Sequence, residues 1–377
     1  MLDKMNKRII NKVIESIGAT ESAQAARVSF SDSRYKSIDF SKDNFRQIIK
    51  FENKDNARKI AFVDGGNAEI VGAPNFSFQL VRTYYSIWQD NKRIKNLRED
   101  FFVFVNAFSK NERGQKYIKY SAQMFKNDLT TKSVIEKQLN AGKSSMPDDE
   151  EIVYDSFDAT IMDGVHRASP GRVAEVARRF AEIKACELAS EELNSGDLIV
   201  IDGTLQSSVT NESKQLSRLY ESVSKRNVIL CALAKTTTLL TETGDSVIFS
   251  LGSIAPKTSW YYHPVVEITH PDHKAEMFIV KLHDKSKHIF RLEMHHESFL
   301  KNMRDVSNLI AVLASNCKDP VFVGYPYGLI EADANARISN QEVKNLRTQL
   351  MFQSGKKWDD ISDRLSSVDA HSILDSK

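Results

Sequence analysis

Two short stretches of this 377-residue chain end in the residue type that holds hard metal ions. Lys59-Ile60-Ala61-Phe62-Val63-Asp64-Gly65-Gly66 is an apolar run closed by a carboxylate and two glycines, and Asp197-Leu198-Ile199-Val200-Ile201-Asp202-Gly203 repeats the construction. Apolar runs bounded by glycine predict buried strands, so Asp64 and Asp202 are expected at strand ends. One such aspartate alone fits an ordinary Asp-Gly turn equally well. Two matched strand ends suggest one site. Neighbouring strands lie about 5 Å apart, and carboxylates that close repel unless a divalent cation lies between them. Metal chemistry is therefore expected at the strand ends.

The elements that must position these residues are legible in outline. Met5, Ile9, Ile10, Val13, Ile14 and Ile17 recur at helical spacing and predict an amphipathic first helix. A second helical segment is expected near residues 44–51, so residues 1–55 read as an N-terminal helical extension ahead of one domain over 56–377. After Asp64, a short return strand at Ala68–Val71 and the runs Phe76–Trp88 and Phe101–Phe108 predict a meander. The polar stretch at about 109–165, with the acidic run Pro147–Glu151, reads as an insertion. Ser169-Pro170 is a helix start, with Val173, Val176, Phe180 and Ile183 on one face. A helix over 212–225 and a strand over 228–234 then predict a parallel crossover from the Asp202 strand. The runs 276–282 and 288–294 predict a hairpin, which makes the sheet mixed. A helix over 300–314, a strand at Val321–Gly324 and a helix carrying Asp333 and Arg337 complete the pattern.

Composition bounds the remainder. With 41% hydrophobic and 27% charged residues and a formal charge of +2, any nucleic-acid surface must be a local patch. Cys186, Cys231 and Cys317 have no zinc spacing and leave an odd thiol, as expected in a reducing compartment such as the cytoplasm. No apolar run approaches the ~18 residues of a membrane span, and none resembles a signal peptide core. Seven of the nine histidines fall between His263 and His296, but no metal-binding pattern joins them, so solvated or DNA-facing roles are expected. Tyr84, Tyr85 and Trp88 could stack on bases, though core packing is the favoured expectation for a β-rich run.

A meander whose first strand carries Asp, then a helix, a crossover strand ending in Asp-Gly, and a late helix with a further Asp resembles an RNase H-like fold: α/β, a mixed sheet flanked by helices. Carboxylates so placed hold two Mg²⁺ or Mn²⁺ ions about 4 Å apart for in-line attack on a phosphodiester. At this point the chain resembles the NurA nuclease family. The resemblance is carried by Val63-Asp64-Gly65-Gly66, Arg178-Arg179-Phe180-Ala181-Glu182, Ile201-Asp202-Gly203-Thr204-Leu205, and Gly324-Tyr325-Pro326-Tyr327-Gly328-Leu329-Ile330-Glu331-Ala332-Asp333, with His371-Ser372-Ile373-Leu374-Asp375 similar to the family's ending. It implies a Mn²⁺-dependent 5′-to-3′ exonuclease and single-strand endonuclease. It further implies a homodimer working on DNA ends with HerA, a hexameric translocating ATPase, in the resection step of DNA repair.

Residue by residue, the resemblance implies metal-ligand roles for Asp64, Glu182, Asp202 and Asp333, with Lys235 and Tyr325 as further catalytic residues. Arg178, Arg179 and Arg337 would form a phosphate track. Glu187 lies on the apolar stripe of its helix and is the alternative to Glu182 on periodicity alone. Many family members carry His where this chain has Asp333, and a carboxylate there is a harder ligand that suits Mg²⁺ or Mn²⁺. Two other readings stay open. Asp-Gly-Gly-Asn also resembles the first phosphate loop of actin-like ATPases, and a non-catalytic DNA-binding subunit that stimulates a partner ATPase would need the carboxylates only for structure.

Overall fold

The computed structural model describes residues 2–18, 27–49, 58–112, 114–126 and 144–365. Helix α1 (Leu2–Gly18) and the short strands β1 (Tyr35–Ser37) and β2 (Phe45–Gln47) precede four long strands, β3 (Ile60–Ala73), β4 (Phe76–Gln89), β5 (Lys92–Glu112) and β6 (Gln115–Lys126). Strand β7 (Val153–Asp155), helix α2 (Pro170–Ser190), strand β8 (Leu198–Asp202), helix α3 (Glu212–Arg226) and strand β9 (Ile229–Ala234) follow. Then come α4 (Val247–Ile254), β10 (Trp260–Tyr262), β11 (Val266–Ile268), β12 (Ala275–Lys281) and β13 (Phe290–His295). Helices α5 (His296–Asn302), α6 (Val306–Ser315), α7 (Tyr327–Ala336) and α8 (Asn340–Ser354) complete the order.

The main sheet has 11 strands in the order β2-β10-β12-β13-β9-β8-β3-β4-β5-β6-β7. At its centre β3, β4 and β5 form an antiparallel meander, while β8 runs parallel to β3 and β9 parallel to β8. With α2 leading into β8 and α3 joining β8 to β9, this is the RNase H-like arrangement. The hairpin of β12 and β13 adds antiparallel strands beyond β9, so the sheet is mixed as expected.

Sequence alternation divides the interior. Ile60 and Phe62 of β3, with Leu198 and Val200 of β8, pack under α6 and α7. Ala61 and Val63, with Ile199 and Ile201, pack under α2 and α3. Each buried Ile or Phe contributes roughly 1.5–3 kcal/mol, so this alternation fixes which face every later residue of β3 and β8 must take. Helix α2 starts where its sequence says, with Ser169 accepting from the Arg172 amide and Pro170 in the first turn. Cys186, Cys231 and Cys317 are free and buried. Among the described residues no helix is long and apolar enough to cross a membrane.

Several local expectations are corrected. Strand β3 does not end at Asp64: it runs on through Gly65 and Gly66 to Ala73, paired with β4 from Ile60↔Trp88 to Ala73↔Phe76, and absorbs the expected return strand. The strand that ends is β8, whose last pair with β3 is Val63↔Ile201. Residues 45–47 form β2, an edge strand paired with β10, where a helix was expected; the remainder of that segment from residue 50 lies outside the described residues. Val321–Gly324 is not a strand. The Asp319 side chain accepts from the Val321 amide and Gly324, at φ +96°, turns the chain so that its amide reaches Cys317 O. The helix expected over 300–314 is two helices, α5 and α6. Much of the polar stretch at 109–165 is sheet, in β5, β6 and β7, while residues 127–143 and the His371–Asp375 ending lie outside the described residues.

Candidate active site

Because side chains alternate along a strand, Asp64 and Asp202 share the parity of Phe62 and Val200 and emerge on the α7 face, one step beyond the last β3–β8 pair. There they meet Asp333 of α7. One carboxylate oxygen from each of Asp64, Asp202 and Asp333 lies within 4.8 Å of the others. The three line an open cleft of about 360 Å³ together with Arg178 and Arg337.

Two glycines make this convergence possible from both faces. A Cβ on Gly66 would collide with the carbonyl of Ala336, so the missing side chain lets the end of α7 lie against β3. A Cβ on Gly65 would stand 2.7 Å from Glu182 Cγ and 2.8 Å from its Oε1. Glu182 thus lies against β3 from α2, on the opposite face of the sheet from the three aspartates, in the space that Gly65 leaves, and is neither in their cluster nor in the lining of the cleft. Glu187 does not approach: it is half-buried, and its charged surroundings are Lys184, Arg218, Glu151 and Glu191.

Electrostatics differ between the faces. Lys235 Nζ, just past β9, lies 2.8 Å from Asp202 Oδ2 and 2.7 Å from Asp333 Oδ1. Burial works against the Asp333 charge, but Lys235 and Arg337 outweigh it and hold this carboxyl below its ordinary value. The Tyr325 hydroxyl donates to Asp202 Oδ1 at 3.3 Å, and burial with the neighbouring carboxylates pushes the phenol far up. Asp64 is 9% exposed and pushed up to about 7, first by burial and then by Glu182 and Asp202, despite the Gly65 amide that donates to its Oδ1 at 2.8 Å. Burial also raises Glu182, against the pull of Arg178 and Arg179.

The arginines divide. Arg337 pairs with Asp333 at 2.7 Å and its side chain is 74% exposed at the cleft. Arg178 bonds Glu182 and donates to Gly65 O at 3.4 Å. Arg179, expected in a phosphate track, turns inward: it donates to Glu212 Oε1 at 2.6 Å and Thr204 O at 2.8 Å and lies 3.6 Å from Glu182. Buried Glu212 in turn accepts from the Ser208 amide at 2.7 Å, fixing the loop after Asp202. Sequence reasoning passed over Glu212, since a glutamate opening a helix is commonplace. It also passed over Arg82, 3% exposed, which bonds Asp100, Glu342 and the carbonyl of Arg337. A lone arginine inside the apolar run of β4 was the available signal.

Tyr84 and Tyr85 are buried and not available to bases, and Trp88 packs against Tyr327 with the rings tilted by 60° and their centroids 4.7 Å apart. Of the histidines, His273 and His295 are buried rather than solvated: His273 Nδ1 lies 3.0 Å from the Tyr35 hydroxyl and His295 stacks on Tyr220.

The NurA domain family model matches residues 58–338. The chain belongs to the NurA family of nucleases. The NurA match begins just before β3, ends just after α7, and contains every residue of the cleft described above, while α1, β1, β2 and α8 fall outside it. No curated protein matches the sequence. Among solved structures, the catalytic domain of human Endonuclease V aligns at 9% identity, covering 81% of this chain and 92% of that one with a TM-score of 0.33. A likeness at that score bears on neither fold nor chemistry.

The donor set suits a hard divalent ion. Three oxygen ligands converge with Lys235 bridging only two of them, and the raised Asp64 reflects carboxylates crowded in a poorly solvated place, which a bound cation would relieve.

Proposed function

We propose that the protein is a metal-dependent DNA nuclease that hydrolyses phosphodiester bonds with two Mn²⁺ or Mg²⁺ ions. The observation that carries this reading is the convergence of Asp64, Asp202 and Asp333 in a cleft flanked by arginines. Asp64, Asp202 and Asp333 would hold the metal, with Glu182 as the helical carboxylate beside Asp64. The ions would supply an activated water and stabilise the charge on the leaving oxygen. Arg178 and Arg337 would draw the phosphate into the cleft, Lys235 would orient it against the carboxylates, and Tyr325 would fix the rotamer of Asp202. Family resemblance extends the reading to 5′-to-3′ exonuclease and single-strand endonuclease activity, a homodimer, a HerA-type hexameric partner and end resection in the cytoplasm, with the nuclease domain spanning about 56–377.

The test is cleavage of 5′-labelled and 3′-labelled single-stranded DNA with Mn²⁺, Mg²⁺ or chelator, beside Asp202→Asn. Metal-dependent cutting that Asp202→Asn loses supports the reading, and the labels report polarity. Cutting that persists in chelator or in Asp202→Asn overturns it.

A further inference from the structure

Gly66 of β3, Arg82 of β4 and Asp100 of β5 are register partners in one row across the meander. Arg82 shares the parity of Tyr84, which packs on Ala332 and Ala336, so the row meets the backbone where α7 ends. The carbonyl of Ala336 stands over Gly66, and the next carbonyl, that of Arg337, accepts from Arg82 Nη1 at 2.8 Å. A helix leaves its last carbonyls unpaired at the negative end of its dipole, so a guanidinium beneath that end answers both.

The remaining donors of Arg82 point elsewhere. Nε and Nη2 donate to the buried Asp100 at 2.9 and 3.0 Å, and Nη2 also donates to Glu342 Oε1 at 2.8 Å. Glu342 lies in the first turn of α8 and is itself fixed. Its Oε2 accepts from the Ser339 amide at 2.8 Å while its own amide donates to Ser339 Oγ at 3.2 Å, the two halves of a capping box. Burying a charged pair in the middle of a strand adds little stability. What Arg82 supplies is geometry: one planar fork joins β5, the end of α7 and the start of α8.

The end of α7 is also where the cleft is built. The Arg337 amide donates to Asp333 O at 3.0 Å, and its guanidinium pairs with Asp333 Oδ2 at 2.7 Å. Holding the carbonyl of Arg337 therefore holds the turn from which Asp333 enters the carboxylate cluster. Ile338, which lines the cleft, joins the apolar cluster that contains Leu346 and Leu350 of α8.

We infer that Arg82 is a positioning residue for the carboxylate cleft and that Glu342 of α8 is its anchor, together setting where Asp333 and Arg337 stand over β3. Ser339 and Glu342 lie beyond residue 338, where the NurA match ends, so a helix outside that match braces one wall of the site. The inference deepens the metal-nuclease reading and rests on it for what the wall is braced to hold.

The test uses the full chain and Mn²⁺ alone, with bound metal read from loss of the electron paramagnetic resonance signal of free Mn²⁺ and with hydrogen exchange over residues 333–338. Arg82→Lys and Glu342→Ala are each expected to weaken Mn²⁺ binding about 10-fold, the low end for residues standing behind a metal ligand, and to speed exchange over 333–338. Glu342→Gln, which can keep both the bond from Arg82 and the capping box, is expected to rescue both readouts to within about 2-fold of the parent. Ser339→Ala removes half of the same cap without touching Arg82, so it separates positioning from mere helix stability. It is expected to leave Mn²⁺ binding within about 2-fold of the parent. Unchanged Mn²⁺ binding in Glu342→Ala, or an equal loss in Ser339→Ala, overturns the inference. If the parent itself binds no Mn²⁺, the metal reading fails separately, and exchange then decides the brace: faster exchange in Glu342→Ala than in Ser339→Ala sustains it, and equal exchange overturns it.

Discussion

At Asp64-Gly65-Gly66 the two faces of one strand solve the problem of buried charge in opposite ways. On the α2 face, fully buried Glu182 is met by Arg178 and Arg179, and Arg179 is itself shared with buried Glu212, so the protein supplies its own counter-charges. On the α7 face, Lys235 pairs with Asp202 and Asp333 and the exposed Arg337 with Asp333, while Asp64 has no ion pair among the described residues and its carboxyl is pushed up to about 7. A buried ion pair adds little stability yet costs a great deal when broken, which suits a scaffold. A cluster short of positive charge suits a place where a cation is to be added. The difference separates a self-neutralised face from an open one, with Arg178 belonging to both, since it pairs with Glu182 and lines the cleft.

The comparison breaks most sharply at Asp64. Asp64→Asn is expected to lower Mn²⁺-dependent cleavage by about three orders of magnitude, on the order of 4 kcal/mol of transition-state stabilisation, while anisotropy shows DNA binding largely kept. Normal cleavage by that variant would assign the open face no catalytic role.

Proton linkage tests the same face without substrate. With its carboxyl pushed up to about 7, folded Asp64 keeps a proton that the unfolded chain releases near pH 4. Its stabilising contribution is therefore complete below about pH 4 and is lost as pH rises through 7, by at most about 4 kcal/mol. The melting temperature of metal-free protein should fall from pH 5 to pH 8, Mn²⁺ should restore it at pH 8, and Asp64→Asn should flatten both responses. A wild-type melting temperature that rises over this range contradicts the assignment.

Gly65→Ala probes the junction of the two faces. The added methyl meets Glu182 at 2.7 Å, and overpacking of this kind costs roughly 1–3 kcal/mol. Chemical denaturation should register that loss together with reduced cleavage. If cleavage is untouched, the position of Glu182 is irrelevant to the chemistry. The smallest effect is expected at Glu187→Gln, within about 0.5 kcal/mol of wild type in stability and equal in cleavage. A large loss of cleavage there would return Glu187 to contention with Glu182.

Much of this arrangement was legible because it is local. The apolar runs ending in Asp64 and Asp202 gave adjacent parallel strands, and Ser169-Pro170 gave the start of α2. Glycine misled at β3: in sequence, Gly65-Gly66 punctuates a strand, whereas in the fold it is a thin place where two helices close in. Arg179 and Glu212 find each other across 33 positions, and Arg82 finds Glu342 across 260, so no window of sequence could expose those pairs. His295 was expected in solvent because periodicity does not reveal that β13 is covered on both faces, and His273, in the turn before β12, because its partners Tyr35 and Glu293 are distant in sequence.

The stepped pairing of β3 with β8 has a further consequence, for the kinds of change the gene can accept. Whether Asp64 and Asp202 face α7 depends only on whether each lies an even number of residues from Phe62 and Val200. Inserting or deleting one codon between Ile60 and Asp64 would leave β3 able to pair but would turn the aspartate toward α2 and a glycine toward α7. Point substitutions on this strand can be graded in their effects, but changes of length are all or none. The chemistry of the cleft is in that sense stored as a parity, and it constrains insertions and deletions in β3 and β8 more tightly than it constrains the identity of the apolar residues around them.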